Sequence, residues 1–401
     1  MLYDFVVFLD TDWEVTDQKN RQHFLIAEMA RQLEGQSKIL GVERPICPLT
    51  GPFRMREKFI QRLQGKRGLR RAGVNLHIYT PFVLVHNLIA AKVPGVTLLN
   101  RRLLRMLLKQ VLKKLDFRAD NLISWIHHPY QLEDIGLLNE QFLVYDCYDD
   151  YTTSEQNATL RRDLERRERT ILERANCVLV ASAELLNARR KTGNVHLVPN
   201  GVEFEHFARI REMESTTSIR SSPILGFTGK ISPRLDFRLL TRLAVKHPNW
   251  TLMMIGPMEN NRQLGRNPDY RVFAAAPNVL FLGSKPYGAL PIYMRPFDIC
   301  LLPYTANDPV NVSCSPLKLY EYLSTGMPIV STDLPAVRPF NGLVRIARDA
   351  TDFEQYVAES LQETDESLPQ RRLAAARENS WERRVKQILQ IVDSTLKERC
   401  P

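Results

Sequence analysis

The sequence predicts an α/β fold: two Rossmann-like, doubly wound domains that face each other across a cleft. Short apolar runs alternate with helix-period segments through the first half of the chain. A polar break follows at residues 203–223, and the same alternation then restarts. Parallel sheets with helices on both faces produce this pattern, because every strand is buried and every connection is a helix. The length of 401 residues suits two domains of ordinary size.

The predicted elements divide the chain at the polar break. In the first half, strands are expected at 5–9, 38–42, 76–79, 122–126, 142–146, 177–181 and 196–198. Helices are expected at 20–34, 98–115, 155–174 and 183–191. In the second half, strands are expected at 224–228, 251–255, 279–282, 299–302, 329–331 and 343–346, with helices at 235–246 and 316–324. We therefore predict domains at 1–203 and 223–379, joined by a linker at 204–222.

Cysteine usage and the N-terminus predict a cytoplasmic protein. None of the six cysteines lies in a C-x-x-C pair, so we expect reduced, buried thiols and no zinc site. The N-terminus has no basic region, and its apolar run is broken at Asp4 and Asp10. A signal peptide is therefore not expected. No apolar run approaches the length of about 18 residues that spans a bilayer, so membrane contact is expected to be peripheral.

Positive charge is concentrated in one part of the N-terminal half. The chain carries a formal net charge of +10, yet residues 54–114 hold fifteen Lys or Arg and a single acid, Glu57. The segment 98–115 combines Arg101, Arg105 and Lys109 with many leucines, a pattern that suits the surface of an anionic membrane. A core-packed helix with a solvated basic face is the alternative. Nucleic-acid binding is not predicted, because no motif for it accompanies the charge.

Several motifs occur in a fixed order in the second half. They are PNGVE at 199–203, GFTGK at 226–230, IGP at 255–257, NVLFLG at 278–283, FDI at 297–299 and SPLKLYEYLSTGMPIVST at 315–332. This ordered set resembles the GT-B-fold, group 1 (family 4-like) glycosyltransferases, with the strongest likeness to the subgroup that builds teichuronic acid and other exopolysaccharides. The likeness covers nearly the whole chain and is strongest from 198 to 332.

The resemblance implies a metal-independent enzyme of the hexosyltransferase type. Such an enzyme transfers a sugar from a nucleotide-diphosphate sugar to a lipid-linked or growing polysaccharide acceptor, works at the inner membrane face and needs no cofactor. In similar enzymes the last helix, here 380–401, crosses back to the first domain; core packing alone is the alternative. Two other functions stay open: a GT-B-fold sugar-nucleotide epimerase and a non-catalytic nucleotide-sugar-binding scaffold protein.

The long motif predicts a donor-binding helix. Pro316 suits its first turn, Ser313 or Ser315 can cap it, and Leu317 follows inside the helix. Its free N–H groups suit a diphosphate, to which Lys318 adds a positive charge. Glu321 lies three residues further on, on the same face, and can accept hydrogen bonds from ribose hydroxyls. An ordinary exposed Lys–Glu pair is the alternative.

The motif departs from the family in one respect. Many group 1 enzymes carry two glutamates eight positions apart; Glu321 matches the second, but Ser313 occupies the first position. The usual carboxylate contact to the donor sugar is therefore missing or moved. Beside this motif, Gly229 permits close approach to a pyrophosphate. The resemblance assigns Lys230, with Arg234 as second candidate, to phosphate binding, and Gly283 to backbone contacts with the nucleobase.

Catalytic and acceptor-side residues are expected in the N-terminal domain. His127 and His128 end one strand and can polarise a hydroxyl or phosphate, unless they are structural. Asp149 and Asp150 follow the next strand. One of these carboxylates serves as the base if the enzyme inverts, while capping or turn formation is the alternative.

The loop after the first strand contains D-T-D at residues 10–12. This pattern can bind a metal-bound nucleotide sugar in another glycosyltransferase fold and also opens haloacid-dehalogenase phosphatases. Both interpretations conflict with the two-Rossmann pattern, and Glu14 does not fit the phosphatase motif. We therefore expect no catalytic metal. Instead, Asp12, Arg21 and His23 are predicted to lie on the acceptor side.

Overall fold

The computed structural model describes residues 3–14, 19–47, 68–83, 95–190, 194–212, 222–259 and 262–399. The first sheet is built from β1 (Asp4–Phe8), β2 (Ile39–Val42), β3 (Gly68–Arg71), β4 (Leu76–Thr80), β5 (Leu122–Ile126), β6 (Phe142–Cys147), β7 (Cys177–Val180) and β8 (Val195–Leu197). Their spatial order is β3-β4-β2-β1-β5-β6-β7-β8. All neighbours are parallel except β3, which pairs antiparallel with β4.

Strand β3 was not predicted from the sequence. Its residues, Gly-Leu-Arg-Arg, show no apolar run, and all of them are at least partly exposed. The strand forms because its backbone groups pair with β4 at the edge of the sheet. Most of the basic stretch from 54 to 71, which was predicted to face a membrane, lies outside the described residues.

Helices connect the strands of the first sheet. They are α1 (Arg21–Gln32), α2 (Val96–Lys114), α3 (Tyr151–Ser154), α4 (Ala158–Arg174), α5 (Ala183–Arg189) and α6 (Phe204–Ala208). The apolar side of α2 packs Leu104, Leu108 and Val111 into the core beneath the sheet. Among the described residues, no helix combines the length and hydropathy required to cross a bilayer.

The second sheet is entirely parallel. Its strands are β9 (Ile224–Thr228), β10 (Thr251–Ile255), β11 (Val279–Gly283), β12 (Ile299–Leu302), β13 (Ile329–Thr332) and β14 (Arg345–Ala347), in the order β11-β10-β9-β12-β13-β14. Its helices are α7 (Phe237–Lys246), α8 (Arg262–Arg266), α9 (Pro268–Ala275), α10 (Leu290–Met294), α11 (Pro309–Ser313), α12 (Leu317–Leu323), α13 (Ala350–Ser360) and α14 (Ser367–Glu378). Two helix-covered parallel sheets confirm the predicted α/β class.

The last helix, α15 (Trp381–Arg399), packs against α1 in the N-terminal half. The Trp381 N–H donates to the Val202 carbonyl over 3.0 Å, and the Val202 N–H donates to the Asn379 carbonyl over 3.2 Å. The indole of Trp381 stacks on Phe24 of α1, with ring centroids 5.4 Å apart. The C-terminal end of the chain is thus attached to the N-terminal sheet, while the domain boundaries assigned from the sequence stay predictions.

Candidate active site

The two sheets meet where the segment before α12 contacts the N-terminal half. The Ser182 hydroxyl donates to the Ser313 carbonyl over 2.6 Å, and the Asn200 amide donates to the Ser315 carbonyl over 2.6 Å. The Asn200 backbone N–H also donates to the Ser315 hydroxyl. Because strands β9 and β12 end beside this segment, the residues predicted for the donor lie at the carboxyl edge of the second sheet, where ligands of α/β folds bind.

Lys318 lies over the loop that follows β9. Gly229 has φ +133° and Gly256 has φ +146°. A Cβ on Gly229 would overlap the Lys318 side chain, and one on Gly256 would overlap the Gly229 carbonyl. Burial favours the neutral amine, but the Tyr304 hydroxyl and the Glu321 carboxylate together hold the pKa of Lys318 above its ordinary value. The positive charge of Lys318 therefore lies next to the closely packed backbone of Gly229 and Gly256.

The two candidates for the second phosphate-binding cation are placed differently. Arg234 is held in the cleft, where its Nε donates to the Asn311 side chain over 2.7 Å and its guanidinium contacts the Cys314 thiol. Asn311 is buried and in turn donates to the Arg234 carbonyl. Lys230 is instead 59% exposed and pairs with Glu259 over 3.3 Å. The structure thus brings Arg234, rather than Lys230, towards Lys318.

Glu321 is a buried carboxylate without a hydrogen-bond partner among the described residues. It is only 7% exposed. Burial raises its pKa to about 7, the charge of Lys318 opposes this rise, and that of Glu203 reinforces it. A carboxylate at the floor of a cleft, with little access to solvent and no protein donor, is less well solvated than one in open water. Such a group is available to accept hydrogen bonds from a ligand's hydroxyls.

The predicted capping of the donor helix is wrong. Pro316 is itself the N-cap of α12, in extended conformation, and no side chain caps this end. The Ser313 hydroxyl donates to the Pro309 carbonyl and so turns back into α11, while the Ser315 hydroxyl accepts from Asn200. Leu317 opens the helix and packs against the core.

Gly283 ends β11 in a left-handed conformation with φ +67°. Its carbonyl accepts a hydrogen bond from the Gly256 N–H over 2.9 Å. The turn predicted to contact the nucleobase is therefore bonded to Gly256 in the loop after β10, and Gly256 packs against the Gly229 loop beneath Lys318.

In the N-terminal half, Asp10 organises a cluster that the sequence did not identify as functional. Its carboxylate accepts hydrogen bonds from the hydroxyls of Tyr148, over 2.9 Å, and Tyr151, over 3.3 Å, and from the Gln22 amide. The ring of His128 lies 4.2 Å from that of Tyr151. The sequence signals were the D-T-D pattern and the position of Asp10 two residues after β1, and they did not distinguish a ligand from a structural carboxylate.

The neighbouring aspartates Asp149 and Asp150 have opposite surroundings. Asp150 caps α3, accepting from the N–H groups of Thr152 and Thr153 over 3.2 Å; these bonds hold its pKa below the ordinary value although burial opposes this. The Asp149 carboxyl accepts no hydrogen bond from the described residues. Burial raises its pKa to about 6, the charge of Arg234 opposes this, and those of Asp10 and Asp150 reinforce it.

The two histidines at the end of β5 also differ. His127 is fully buried, with Nδ1 3.5 Å from Asp146. His128 is partly exposed, and its Nδ1 accepts from the Tyr130 N–H. Burial lowers the pKa of His128 to about 4, so the ring is neutral at pH 7. His128 therefore offers a neutral imidazole beside the Asp10 cluster.

The predicted acceptor-side residues Arg21 and His23 are engaged within the protein. The Nε of Arg21 lies 3.0 Å from both carboxylate oxygens of Asp146, and another of its nitrogens donates to the Val198 carbonyl. His23 Nε2 donates to the Asp12 carbonyl over 2.9 Å. These contacts explain how α1 is attached to the sheet, and contact of Asp12, Arg21 or His23 with an acceptor stays a prediction.

No three His, Cys, Asp or Glu side chains come together as a metal site requires, within the part of the chain that the structure describes. The cysteines Cys147, Cys177 and Cys300 are buried, and burial raises the pKa of each thiol. These thiols are accordingly unreactive at neutral pH. Metal independence stays a prediction.

Sequence comparison gives two matches. Residues 222–363 match the family described as Glycosyl transferases group 1. TuaH of Bacillus subtilis (strain 168), a glycosyltransferase named for teichuronic acid biosynthesis, is 32% identical over an alignment of 209 residues that covers 48% of this chain and 51% of the relative. The matched region thus spans about half the length of that curated relative.

Solved structures of similar fold cover nearly the whole chain. Sucrose-phosphate synthase from Thermosynechococcus elongatus has a TM-score of 0.66 at 15% identity and covers 99% of this chain and 100% of its own. Trehalose 6-phosphate synthase from Burkholderia multivorans has a TM-score of 0.68 at 11% identity, with 100% of both chains covered. Anabaena HepE, solved with UDP and glucose, has a TM-score of 0.63 at 14% identity and covers 97% and 99%. These similarities confirm the predicted GT-B fold.

Proposed function

We propose that this protein transfers a sugar from a nucleotide-diphosphate sugar to a glycan acceptor, because residues 222–363 match the family of group 1 glycosyl transferases and the chain has a GT-B fold. One observation carries the proposal. Lys318 lies over the glycine loop at Gly229, and Arg234 is held on the same side of the cleft. The Glu321 carboxylate, which no described residue donates to, lies on the helix of Lys318. Two cations suit a diphosphate, and a carboxylate suits the ribose hydroxyls.

The donor probes of first choice are uridine nucleotides. Anabaena HepE has been solved with UDP and with UDP-glucose, and its fold covers nearly the whole of this chain. We propose that Lys318 and Arg234 bind the diphosphate, that Gly229 and Ser315 to Leu317 provide the closely approaching backbone, and that Gly283 contacts the base. Lys230 is proposed as a peripheral contributor, because its side chain is directed to Glu259.

The acceptor is proposed to bind on the N-terminal side of the cleft. The Asp10 cluster supports this, since it places carboxylates and aromatic rings at the carboxyl ends of β1 and β6. Asp149 is the proposed functional carboxyl, because Asp150 is committed to capping α3. His127 and His128 are proposed to position a reacting hydroxyl, and Asp12, Arg21 and His23 to support the acceptor loop.

A lipid-linked or growing cell-surface polysaccharide is the proposed acceptor class, with the protein peripheral at the cytoplasmic face of the membrane. The relationship to a glycosyltransferase named for teichuronic acid biosynthesis supports the acceptor class. Helix α2 supports the membrane contact: Leu98, Leu99 and Met106 are 52%, 51% and 50% exposed. Arg102, Lys109 and Lys113 are exposed on the same helix, and such a surface suits anionic lipid headgroups.

A two-stage assay tests the proposal. Thermal shifts are first measured with UDP, UDP-glucose and other nucleotide-diphosphate sugars, because a ligand of the native state raises the melting temperature. The donor that binds is then incubated with and without extracted membrane lipid. Lipid-dependent release of nucleoside diphosphate with labelled sugar in the lipid is the expected result.

Other outcomes point to other functions. Conversion of the donor to an isomeric nucleotide sugar without lipid would indicate an epimerase, and binding without turnover would indicate a scaffold protein. Lys318→Ala and Glu321→Ala are the matched variants: both should weaken donor binding while the chain stays folded.

A further inference from the structure

The donor side of the cleft has no free carboxylate at the end of α11. The Ser313 hydroxyl donates into its own helix, and the Ser313 carbonyl is occupied by Ser182. The next residue, Cys314, contributes a thiol that touches the Arg234 guanidinium. A sugar ring next to a diphosphate held at Arg234 would therefore find no carboxylate from this segment.

The N-terminal half supplies a carboxylate at this place. Helix α11 packs against α3 and α5, so the loop that leads from β6 into α3 lies against the end of α11. Asp149 belongs to this loop. Cys314, which follows α11, contacts the Arg234 guanidinium, so this loop and Arg234 lie on the same part of the cleft. The Asp149 carboxyl is within electrostatic range of both, because the charge of Arg234 opposes the rise in the pKa of Asp149, and that of Asp149 helps to raise the pKa of the Cys314 thiol.

Asp149 differs from its acidic neighbours because its carboxyl is unoccupied. Asp10 accepts hydrogen bonds from two tyrosines and a glutamine, and Asp150 accepts from the first turn of α3. Within the described residues, nothing donates to the Asp149 carboxyl, although the residue is only partly exposed. A carboxylate in such surroundings gains from a ligand that offers O–H donors.

We propose that Asp149, on the N-terminal domain, binds the transferred sugar of the donor by accepting hydrogen bonds from its hydroxyls. The proposal rests on the proposed function, in which Arg234 and Lys318 hold the diphosphate. The sugar is bonded directly to that diphosphate, so it lies within reach of a carboxyl that acts on Arg234. The choice of donor sugar then depends on the N-terminal domain, and the sugar is fully bound only when the two domains are together.

Comparing the binding of a nucleoside diphosphate with that of the matching nucleotide sugar tests whether Asp149 contacts the donor sugar. A base that contacts only the acceptor would affect neither affinity. Isothermal titration calorimetry on the full chain would give dissociation constants for UDP and UDP-glucose, or for the corresponding pair if another nucleotide binds. Wild type, Asp149→Asn and Asp149→Ala are compared with Asp120→Asn, which changes an exposed aspartate before β5. The measured quantity is the ratio of the Kd of the nucleotide sugar to that of the nucleoside diphosphate.

The expected result is a ratio that rises at least about tenfold in both Asp149 variants and stays unchanged in Asp120→Asn, because a hydrogen bond to a charged group contributes that much. A deoxy-sugar donor that lacks the contacted hydroxyl should lose affinity for wild type only. If wild type binds both ligands and the ratio is unchanged in the Asp149 variants, the sugar contact is refuted while the donor site stands. If wild type binds neither ligand, the proposed function itself fails.

Discussion

The end of the Lys318 side chain occupies the space that a β-carbon on Gly229 would fill, so any other residue at position 229 would force that side chain to move. The backbone of the loop after β9 thus packs directly against a side chain from the first turn of α12. The donor site is assembled from two motifs that are far apart in the sequence.

We expect Gly229→Ala to displace Lys318 and to strain the backbone at φ +133°. The cost should be about 1–3 kcal/mol of stability, with a clear loss of nucleotide affinity, both measured by thermal shift with and without ligand. Gly265→Ala is the control, since nothing lies within 4 Å of its added methyl group. Equal ligand-induced shifts in wild type and Gly229→Ala would contradict a donor site at this loop.

Glu321 should make the free protein less stable as pH rises. Burial raises its pKa from 4.5 to about 7, so between these values the unfolded state has lost the proton that the native state retains. The contribution of Glu321 to the free energy of unfolding therefore falls over this window, by about 3 kcal/mol at most. Glu321→Gln should melt higher than wild type at pH 8, nearly match it at pH 5, and bind nucleotide more weakly at both.

Urea titrations of both proteins across pH 5–8 measure this difference. A stability difference between wild type and Glu321→Gln that stays constant from pH 5 to pH 8 would show that the native state does not raise the pKa of this carboxyl. A variant that gains stability but keeps full nucleotide affinity would instead remove Glu321 from the ligand contacts.

Arg234 and Lys230 allow a direct comparison of neighbouring cations. Arg234→Gln should weaken nucleoside diphosphate binding at least about tenfold, because it removes a charge held in the cleft by Asn311. Lys230→Gln should change binding by less than about threefold, since a solvent-exposed charge contributes little. Calorimetric titration of both variants decides between them. The reverse order of effects would mean that Lys230 turns inward when the ligand binds.

Arg21 is expected to contribute to stability. It forms a fully buried ion pair with Asp146, so Arg21→Ala leaves a buried carboxylate without its partner and should cost about 3–5 kcal/mol in urea unfolding. Arg118→Ala is the comparison, because the Arg118 partner of Asp4 is itself about one-third exposed, and its loss should cost less. A stable Arg21→Ala protein with impaired acceptor use would instead support the acceptor-side prediction.

The basic face of α2 should direct the protein to anionic lipid. We expect Lys109→Glu/Lys113→Glu to reduce co-sedimentation with phosphatidylglycerol vesicles several-fold, while neither variant nor wild type binds pure phosphatidylcholine. Arg238→Glu/Arg271→Glu makes the same charge change on α7 and α9 of the other domain. Equal losses for both double variants would indicate an effect of net charge rather than of this helix.

Much of the architecture follows from the sequence alone. Buried parallel strands are continuous apolar runs separated by amphipathic helices. This pattern can be recognised along the chain without knowing which elements pack together. The predicted strands from 5–9 to 343–346 all correspond to strands of the two sheets. The exception, β3, has no apolar pattern and exists only because β4 offers an open edge.

Only the tertiary structure decided which of two neighbouring side chains of like charge faces the cleft. The pattern of residues along the chain does not carry that information. Asp150 caps the N-terminus of α3, whereas the Asp149 carboxyl is under the electrostatic influence of Arg234. Lys230 pairs with Glu259, whereas Arg234 contacts Cys314. Composition and motif order determined the fold and the family likeness, because they depend on periodicity and spacing along the chain. Side-chain direction depends on partners from distant segments, and only the packed structure specifies those.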